Sequence, residues 1–338
     1  MSSSISSSDA ANASGWGRCL KACLGVLGIS ASLFFALMVL VDPYDSGRFG
    51  LLGITGVDDK LPYTANASRA RDLQFDAAII GNSTGQLLKP AELSQLTAAR
   101  FVQLVAPGAD PRGQLAILDF FIRHHHRVGA LVVVIDDLWC VTGITLPAQE
   151  TFPFWLYGDS TLTYAGHLFS WRSLDRAVQR ITIGLGSRQR MQPDGFWSYE
   201  EVWRPGEKQP PLGPQPSSPP FNGTVSDSFP YRDMLDRAVR KLPPDVPVVL
   251  LVPPTFYTII PQPGSRAAAE RTACNAAFRS IVAGRPHSNL LDYRIDNALT
   301  RDPQNFADLI HYREKIARKL DEGIAESMRL GEAAKMDF

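Results

Sequence analysis

A stretch of 20 residues without a charged side chain, from Ala22 to Val41, constrains this chain more than any other feature of its sequence. At about 1.5 Å per residue, a helix of this length spans about 30 Å, which is the thickness of the hydrocarbon core of a bilayer. Arg18 and Lys21 precede the stretch and Asp42 follows it. Because positive charge stays on the cytoplasmic side, we predict a single-pass helix in the cytoplasmic (inner) membrane, with residues 42–338 in the periplasm or outside.

A cleaved signal peptide is the alternative interpretation of this stretch. Its apolar core has about 7 to 15 residues and ends at a small-x-small cleavage site. Here the stretch is longer and ends in Leu40-Val41-Asp42-Pro43, so an uncleaved signal anchor at residues 22–41 is the prediction. Residues 1–21 are predicted to form a disordered cytoplasmic tail, since their first part is polar and rich in small residues.

Short apolar runs alternate with amphipathic patterns through residues 42–338. Strands are predicted at 76–81, 101–105, 131–135, 246–252 and 289–291, and helices at 90–100, 110–127, 231–241, 266–283 and 312–329. Continuous Val, Ile and Leu runs separated by helices are typical of a parallel sheet that is covered on both faces. The predicted fold class is therefore α/β, a doubly wound, mostly parallel three-layer sandwich.

Between residues 139 and 230 this alternation stops, and we predict an irregular insertion there. Residues 204–230 contain eight prolines, which neither helix nor sheet accommodates. The first part is rich in aromatic residues, which suit either a core or contacts with sugar rings. Insertions at the carboxyl ends of strands are where such folds build substrate sites.

Composition excludes several classes of function. The 34 Lys and Arg residues balance 34 Asp and Glu residues, so no basic surface for nucleic acid is expected. Three consecutive histidines, 124–126, cannot converge on one ion from a helix, and no phosphate-binding glycine motif is present. No metal or cofactor is predicted. Four cysteines are too few for a disulfide scaffold, although Cys140 and Cys274 are candidates to pair in an oxidising compartment.

Ser83 is the first candidate for chemistry. It follows the predicted strand at 76–81 within Gly81-Asn82-Ser83-Thr84-Gly85, which places it at the carboxyl edge of the sheet. Backbone N–H groups of a following helix would suit a nucleophile at this position. The alternative is that this serine or asparagine only caps the next helix.

Asp308 and His311 form the second candidate segment, just before the last predicted helix. A serine nucleophile needs a base, and that base needs a carboxylate to orient it. An isolated Asp-x-x-His also occurs as a helix cap beside a surface histidine. Its position after the last strand, however, returns the chain to the edge that carries Ser83.

These segments together resemble the SGNH (GDSL-like) hydrolase superfamily. Gly81-Asn82-Ser83 is similar to its first block, with Asn in place of Asp, and Asp308-Leu-Ile-His311 is similar to its last. The resemblance implies that Ser83, Asp308 and His311 are catalytic. It also implies that the backbone N–H groups of Ser83 and Gly108 form an oxyanion hole.

The third block departs from the family pattern. Val134-Ile135-Asp136-Asp137 aligns with it, so Asp136 stands where an oxyanion-binding asparagine is expected. An ionised carboxylate there would repel an oxyanion. Three interpretations remain open: the carboxyl group is turned away, it is protonated, or two backbone donors suffice.

The anchored layout is most similar to a branch that includes the alginate O-acetyltransferase periplasmic proteins and the D-alanine transfer protein of teichoic acids. The resemblance implies an esterase or O-acyltransferase that acts on a cell-envelope polysaccharide or glycan, with a membrane-bound acyltransferase as a partner. The alternative is a non-catalytic envelope protein that binds or assembles polysaccharide, which Asp136 favours.

Overall fold

A computed structural model of the chain describes residues 7–57, 62–142, 152–187, 192–204 and 209–331. Its strands are β1 (Ala77–Gly81), β2 (Phe101–Val105), β3 (Ala130–Val134), β4 (Val248–Val252) and β5 (Asn289–Asp292). All strand pairs are parallel, and the order across the sheet is β2-β1-β3-β4-β5. The carboxyl ends of all five strands therefore lie along one edge.

The α-helices of the described ranges alternate with these strands. They are α1 (Ser7–Val41), α2 (Pro62–Ala70), α3 (Pro90–Leu96), α4 (Pro111–His124), α5 (Phe154–Tyr157), α6 (Thr161–His167), α7 (Trp171–Gly184), α8 (Pro230–Val239), α9 (Arg266–Val282), α10 (Ala298–Arg301) and α11 (Glu314–Leu330). Short 3-10 helices lie at Ser83–Gly85, Asp137–Cys140, Tyr199–Glu201, Tyr257–Ile259 and Pro303–Asn305.

Alternate strand residues point to two separate hydrophobic cores. Ala78 and Ile80 of β1 pack into the core that α4, α8 and α9 cover, whereas Ala77 and Ile79 pack into the core that α3 and α11 cover. Side chains alternate between faces along a strand, so a strand that is buried on both faces has to be apolar throughout. The predicted α/β class, with helices on both faces of a parallel sheet, is confirmed.

Helix α1 contains one segment, Trp16–Val41, that is long and apolar enough to cross a membrane. The helix begins at Ser7, so the predicted disorder does not hold for residues 7–21. Alanines in this part favour helix, and a helix propagates readily from an adjoining helical segment. Residues 1–6 of the predicted tail lie outside the described residues.

The insertion is less irregular than predicted. Helices α5, α6 and α7 form between residues 154 and 184, and Ser160 and Ser170 cap α6 and α7 by accepting backbone N–H groups. Phe152, Tyr157 and Tyr164 pack into the main core, which fixes these helices on the body, whereas Phe169 and Trp171 are exposed. The proline-rich part meets its prediction, since residues 209–229 contain neither helix nor strand.

Candidate active site

Ser83 lies directly after β1, in the first turn that leaves the sheet. Asn82 stabilises this turn, since its Oδ1 accepts the Thr84 N–H at 3.0 Å and the Thr84 hydroxyl at 2.8 Å. Gly81 is required by close packing, because a Cβ there would lie 2.9 Å from Cβ of Val134 on β3. The sequence Gly-Asn-Ser thus brings the chain tightly past β3 and leaves Ser83 half-buried at the carboxyl edge.

Asp308 and His311 lie in a tight loop before α11. An antiparallel bridge between Phe306 and Tyr312 closes the loop, and the Ala307 N–H donates to the His311 carbonyl oxygen at 2.7 Å. Inside it, Asp308 Oδ1 accepts the N–H groups of Ile310 and His311, both at 2.8 Å. Because Asp308 and His311 are only three residues apart, the Asp308 carboxylate is held by the same backbone turn that carries His311.

The three side chains singled out from the sequence form one chain of hydrogen bonds. His311 Nδ1 lies 2.7 Å from Asp308 Oδ2, and His311 Nε2 lies 2.9 Å from Ser83 Oγ. Ser83 and His311 are 228 residues apart in sequence, so only the fold brings them together. The serine–histidine–carboxylate geometry is the one that activates a hydroxyl as a nucleophile.

The carboxylate is held in its ionised form. Partial burial acts to raise the pKa of Asp308, but the hydrogen bonds from the His311 ring and from two backbone N–H groups outweigh it, so the pKa lies below its ordinary value. An ionised Asp308 accepts the Nδ1 proton of His311. The other ring nitrogen, Nε2, is then free to accept a proton from Ser83.

Two aromatic residues of the insertion flank the His311 ring. Tyr199 and Trp203 contact it edge-on, with ring centroids 5.6 and 5.2 Å away. Tyr199 also donates its hydroxyl to the Tyr312 carbonyl oxygen, and the buried Arg313 donates to the Trp203 carbonyl oxygen. These contacts pack the segment against the imidazole and help to hold it in place.

The roles of Tyr199 and Arg313 were not found from the sequence. Trp203 belongs to the insertion, for which the sequence indicated only a general richness in aromatic residues. No local motif marks these residues, since their partners lie more than 100 positions away along the chain. Aromatic enrichment of the insertion was the one available signal.

Gly108 follows β2, beside the turn that carries Ser83. The register pairs Gly81 with Val105, and the Ala106 N–H donates to the Gly81 carbonyl oxygen at 2.9 Å. Gly108 has a φ of +76°, a conformation that favours glycine, and it is exposed. The Tyr63 hydroxyl donates to the neighbouring Pro107 carbonyl oxygen at 2.6 Å and braces this turn.

Asp136 follows β3 and turns toward Asn82. Its Oδ1 accepts the Leu138 N–H at 3.0 Å, and its Oδ2 accepts the Asn82 side-chain N–H. Desolvation is the main reason that the pKa of Asp136 rises to about 6, although the hydrogen bond from Asn82 acts against it. The carboxyl group thus orients Asn82, and both of its oxygens are engaged.

Cys140 and Cys274 form a disulfide with a Cα–Cα distance of 5.6 Å. It links the 3-10 helix after β3 to α9, so these two cysteines, which were candidates to pair from the sequence, are paired in the structure. A disulfide-bonded Cys140 is no nucleophile.

The other candidates lie away from this edge. His124 and His125 each bond through Nδ1 to a carbonyl oxygen one turn earlier, that of Phe120 or Phe121. A cavity of about 850 Å³ lies at the opposite edge, near Asp76, where the strands begin. No group of three or more metal-ligating side chains occurs in the part of the chain that the structure describes.

Comparison with protein-family models, with curated proteins and with solved structures finds no match.

Proposed function

We propose that this protein is a membrane-anchored serine esterase or O-acyltransferase of the SGNH type that works through an acyl-enzyme. The observation that carries the proposal is the continuous chain of hydrogen bonds from Ser83 through His311 to Asp308. A serine that only capped a helix would have no need of a histidine at 2.9 Å that is itself oriented by a carboxylate.

In the first half-reaction, Ser83 Oγ attacks the acyl carbon of an ester while His311 Nε2 takes the hydroxyl proton. The imidazolium that forms is stabilised by the Asp308 carboxylate. As the tetrahedral intermediate collapses, the bond to the leaving alkoxide breaks and His311 returns the proton to that oxygen. The products are the free alcohol and an acyl ester on Ser83.

In the second half-reaction, the acceptor hydroxyl takes the place of the leaving alcohol. His311 removes the proton of this hydroxyl, and the acceptor oxygen attacks the acyl carbon. As the second tetrahedral intermediate collapses, the bond between the acyl carbon and Ser83 Oγ breaks, and His311 gives the proton to Ser83 Oγ. Water as acceptor gives hydrolysis, and a sugar hydroxyl gives O-acyl transfer. The half-buried Trp203 beside His311 offers a surface on which a sugar ring could stack.

The oxyanion would be bound by the backbone N–H groups of Ser83 and Gly108. The turn that carries Gly108 leaves β2 beside the turn that carries Ser83, which supports this assignment. One donor of this kind is worth about 3 kcal/mol of the barrier. Because both oxygens of Asp136 are engaged with Asn82 and Leu138, we assign Asp136 to positioning Asn82.

The cellular setting follows from α1 and from the disulfide. The apolar part of α1 would anchor the chain in the cytoplasmic membrane. Disulfides persist in oxidising compartments, so Cys140–Cys274 supports a body on the periplasmic or outer side. There the acyl acceptor or donor would be a cell-envelope glycan, with a membrane-bound acyltransferase as a partner.

Labelling with a fluorophosphonate probe tests the proposal on the full chain. The probe reacts with an activated serine, and we expect it on Ser83 by peptide mass spectrometry. Labelling should be lost in Ser83→Ala and His311→Ala. Ser228→Ala is the matched control, since Ser228 is an exposed serine whose replacement should leave labelling unchanged.

The non-catalytic alternative makes the opposite prediction. A folded protein, judged by circular dichroism, that the probe does not label would refute the esterase proposal. It would favour a polysaccharide-binding or assembly protein, for which binding of envelope glycans is the next measurement.

A further inference from the structure

The body of the protein carries exposed apolar side chains around the end of α1. Leu51 and Leu52 are 78% and 53% exposed, and Phe169 and Trp171 are 55% and 80% exposed. We call these four residues the apolar collar. They come from two segments that are more than 100 residues apart in sequence, which the fold places against the same helix.

Ring contacts fix the position of Phe169 along α1. Its ring lies 5.6 Å from that of Phe34 and 5.4 Å from that of Phe35, with the second pair stacked. Phe34 and Phe35 lie seven and six positions before Val41, respectively. At about 1.5 Å per residue, Phe169 therefore contacts α1 about 10 Å before the end of its charge-free stretch.

The second collar segment folds back along the last turn of α1. The Gly50 N–H donates to the Val39 carbonyl oxygen at 3.0 Å, and the Leu52 N–H donates to the Leu40 carbonyl oxygen at 3.3 Å. Leu51 lies between these two attachments. Both collar segments thus reach positions on α1 that precede Asp42.

The exposure of α1 changes at the level of the collar. Every residue from Trp16 to Leu33 is exposed, whereas Met38 and Val41 are buried against the body. The charge-free part of this exposed stretch, from Ala22 to Leu33, has 12 residues, or about 18 Å of helix, so a hydrocarbon core of about 30 Å also takes in the part of α1 that the collar contacts. An α1 that spans the bilayer therefore carries the collar to the outer boundary of the hydrocarbon.

Polar groups near this boundary are paired within the protein. Asp42 accepts hydrogen bonds from Ser46 at 3.0 Å and from the Tyr164 hydroxyl. Asp45 pairs with Arg180, and both are buried. Because Asp42 is hydrogen-bonded and Asp45 is paired with Arg180, these groups keep their partners when this part of the protein contacts lipid.

We infer that the apolar collar is a membrane-binding surface that inserts into the outer interface of the bilayer that α1 spans. The proposed occupant is lipid, because the collar is continuous with the exposed face of α1. Tryptophan is enriched at this depth, and the exposed Arg172 beside Trp171 would reach the phosphate groups. The body is then seated on the membrane in one orientation, rather than tethered at a variable distance.

The collar rests on the anchor in the proposed function but not on the esterase activity. Its test uses the full chain in vesicles of phosphatidylcholine and phosphatidylglycerol, with Cys19→Ser and Cys23→Ser to remove the free thiols. Trp171→Cys and, separately, Leu51→Cys introduce one labelling site each for an environment-sensitive fluorophore. Two sites on different segments keep the test informative if one variant does not fold.

Leu185→Cys is the matched control. Leu185 is an apolar residue with 75% exposure that directly follows α7, whereas Trp171 begins this helix, so the two lie about 20 Å apart along its axis. We expect nitroxide lipids to quench the fluorophore at position 171 or 51 at least about threefold more than at 185. Iodide in the water should show the reverse order.

Equal quenching at the collar and control sites would overturn the inference. Protection from iodide without quenching by nitroxide lipids would also overturn it, because a protein would then cover the collar. A chain that does not float with the vesicles would refute anchor and collar together. Fluorophosphonate labelling of Ser83 in the same samples reports separately on the proposed activity.

Discussion

Replacing Asp308 with asparagine tests the role of the histidine more sharply than removing the histidine itself. In the structure, Asp308 Oδ1 accepts two backbone N–H groups and Oδ2 accepts the His311 Nδ1 proton. An asparagine at this position would keep one oxygen for the backbone and present an N–H group where Oδ2 lies. His311 Nδ1 would then become the acceptor, which moves the ring proton to Nε2.

The magnitude follows from this change of tautomer. An Nε2 that carries the proton donates to Ser83 Oγ and cannot remove its proton. The corresponding loss in serine–histidine–aspartate enzymes is about 10⁴-fold in kcat, or about 5 kcal/mol at about 1.36 kcal/mol per tenfold. We expect a loss of about 10³ to 10⁴ for Asp308→Asn, with little change in substrate binding.

The assay is hydrolysis of a chromogenic acetate ester by the full chain in detergent, followed as kcat and KM. Thermal unfolding is the folding control, and the melting temperature should shift little because the backbone hydrogen bonds of residue 308 are kept.

Since the pKa of Asp308 is lowered in the folded state, its stabilising contribution is present above its ordinary pKa and is lost as pH falls through the lowered value. A kcat within about tenfold of the wild type in a folded variant would refute the assignment of His311 as the base.

Three further predictions concern residues around the site. Replacing both Cys140 and Cys274 with serine should lower the free energy of unfolding by about 2 to 5 kcal/mol, because the disulfide closes a loop with a sequence separation of 134. Urea unfolding measures this difference, and an unchanged free energy of unfolding would show that the disulfide does not form. Asp136 has a pKa of about 6 in the folded state, above its ordinary value, so its contribution to stability should fall as pH rises from about 4 to 6. Asp136→Asn should remove this contribution and leave that of Asp321, whose pKa is raised to about 8; a slope equal to that of the wild type would contradict the assignment. Gly108→Ala forces a φ of +76° on a residue with a Cβ, at a cost of about 1 to 2 kcal/mol in stability, and should lower kcat about 10²-fold. A lower melting temperature with an unchanged kcat would show that Gly108 is not part of the oxyanion site.

The sheet was predictable because its strands carry their own signal. Strands that are buried on both faces are mostly apolar, and β3 and β4 are apolar throughout, so all five strands were found with boundaries correct to within one or two residues. Helices α5, α6 and α7 were missed, although Ser160 and Ser170 are good capping residues. Helix α7 packs against α1, and α5 packs against α2 and α4. The amphipathic pattern of α7 was an available signal for that helix, but it does not reveal which distant helix covers its apolar face.

In the candidate site, too, some residues have a local sequence signal and others depend on distant contacts. Ser83, Asp308 and His311 were found because each segment has a local reason to stand at the carboxyl edge of the sheet. Tyr199 and Trp203 reach His311 only through the course of the insertion, and the pairing of Asp136 with Asn82 depends on how β1 and β3 lie side by side. Side-chain contacts of this kind are decided by packing, which local sequence does not encode.

The sequence by itself determined the apolar length of α1, the parallel α/β sheet and the serine, aspartate and histidine of the candidate site, since each depends on composition and spacing over a few neighbouring residues. Tertiary structure alone decided that Cys140 meets Cys274, that His311 lies 2.9 Å from Ser83, and that Phe169 stacks on α1 below its end. These contacts join residues that are more than 100 positions apart, and their geometry exists only once the two cores and the helices around them have packed.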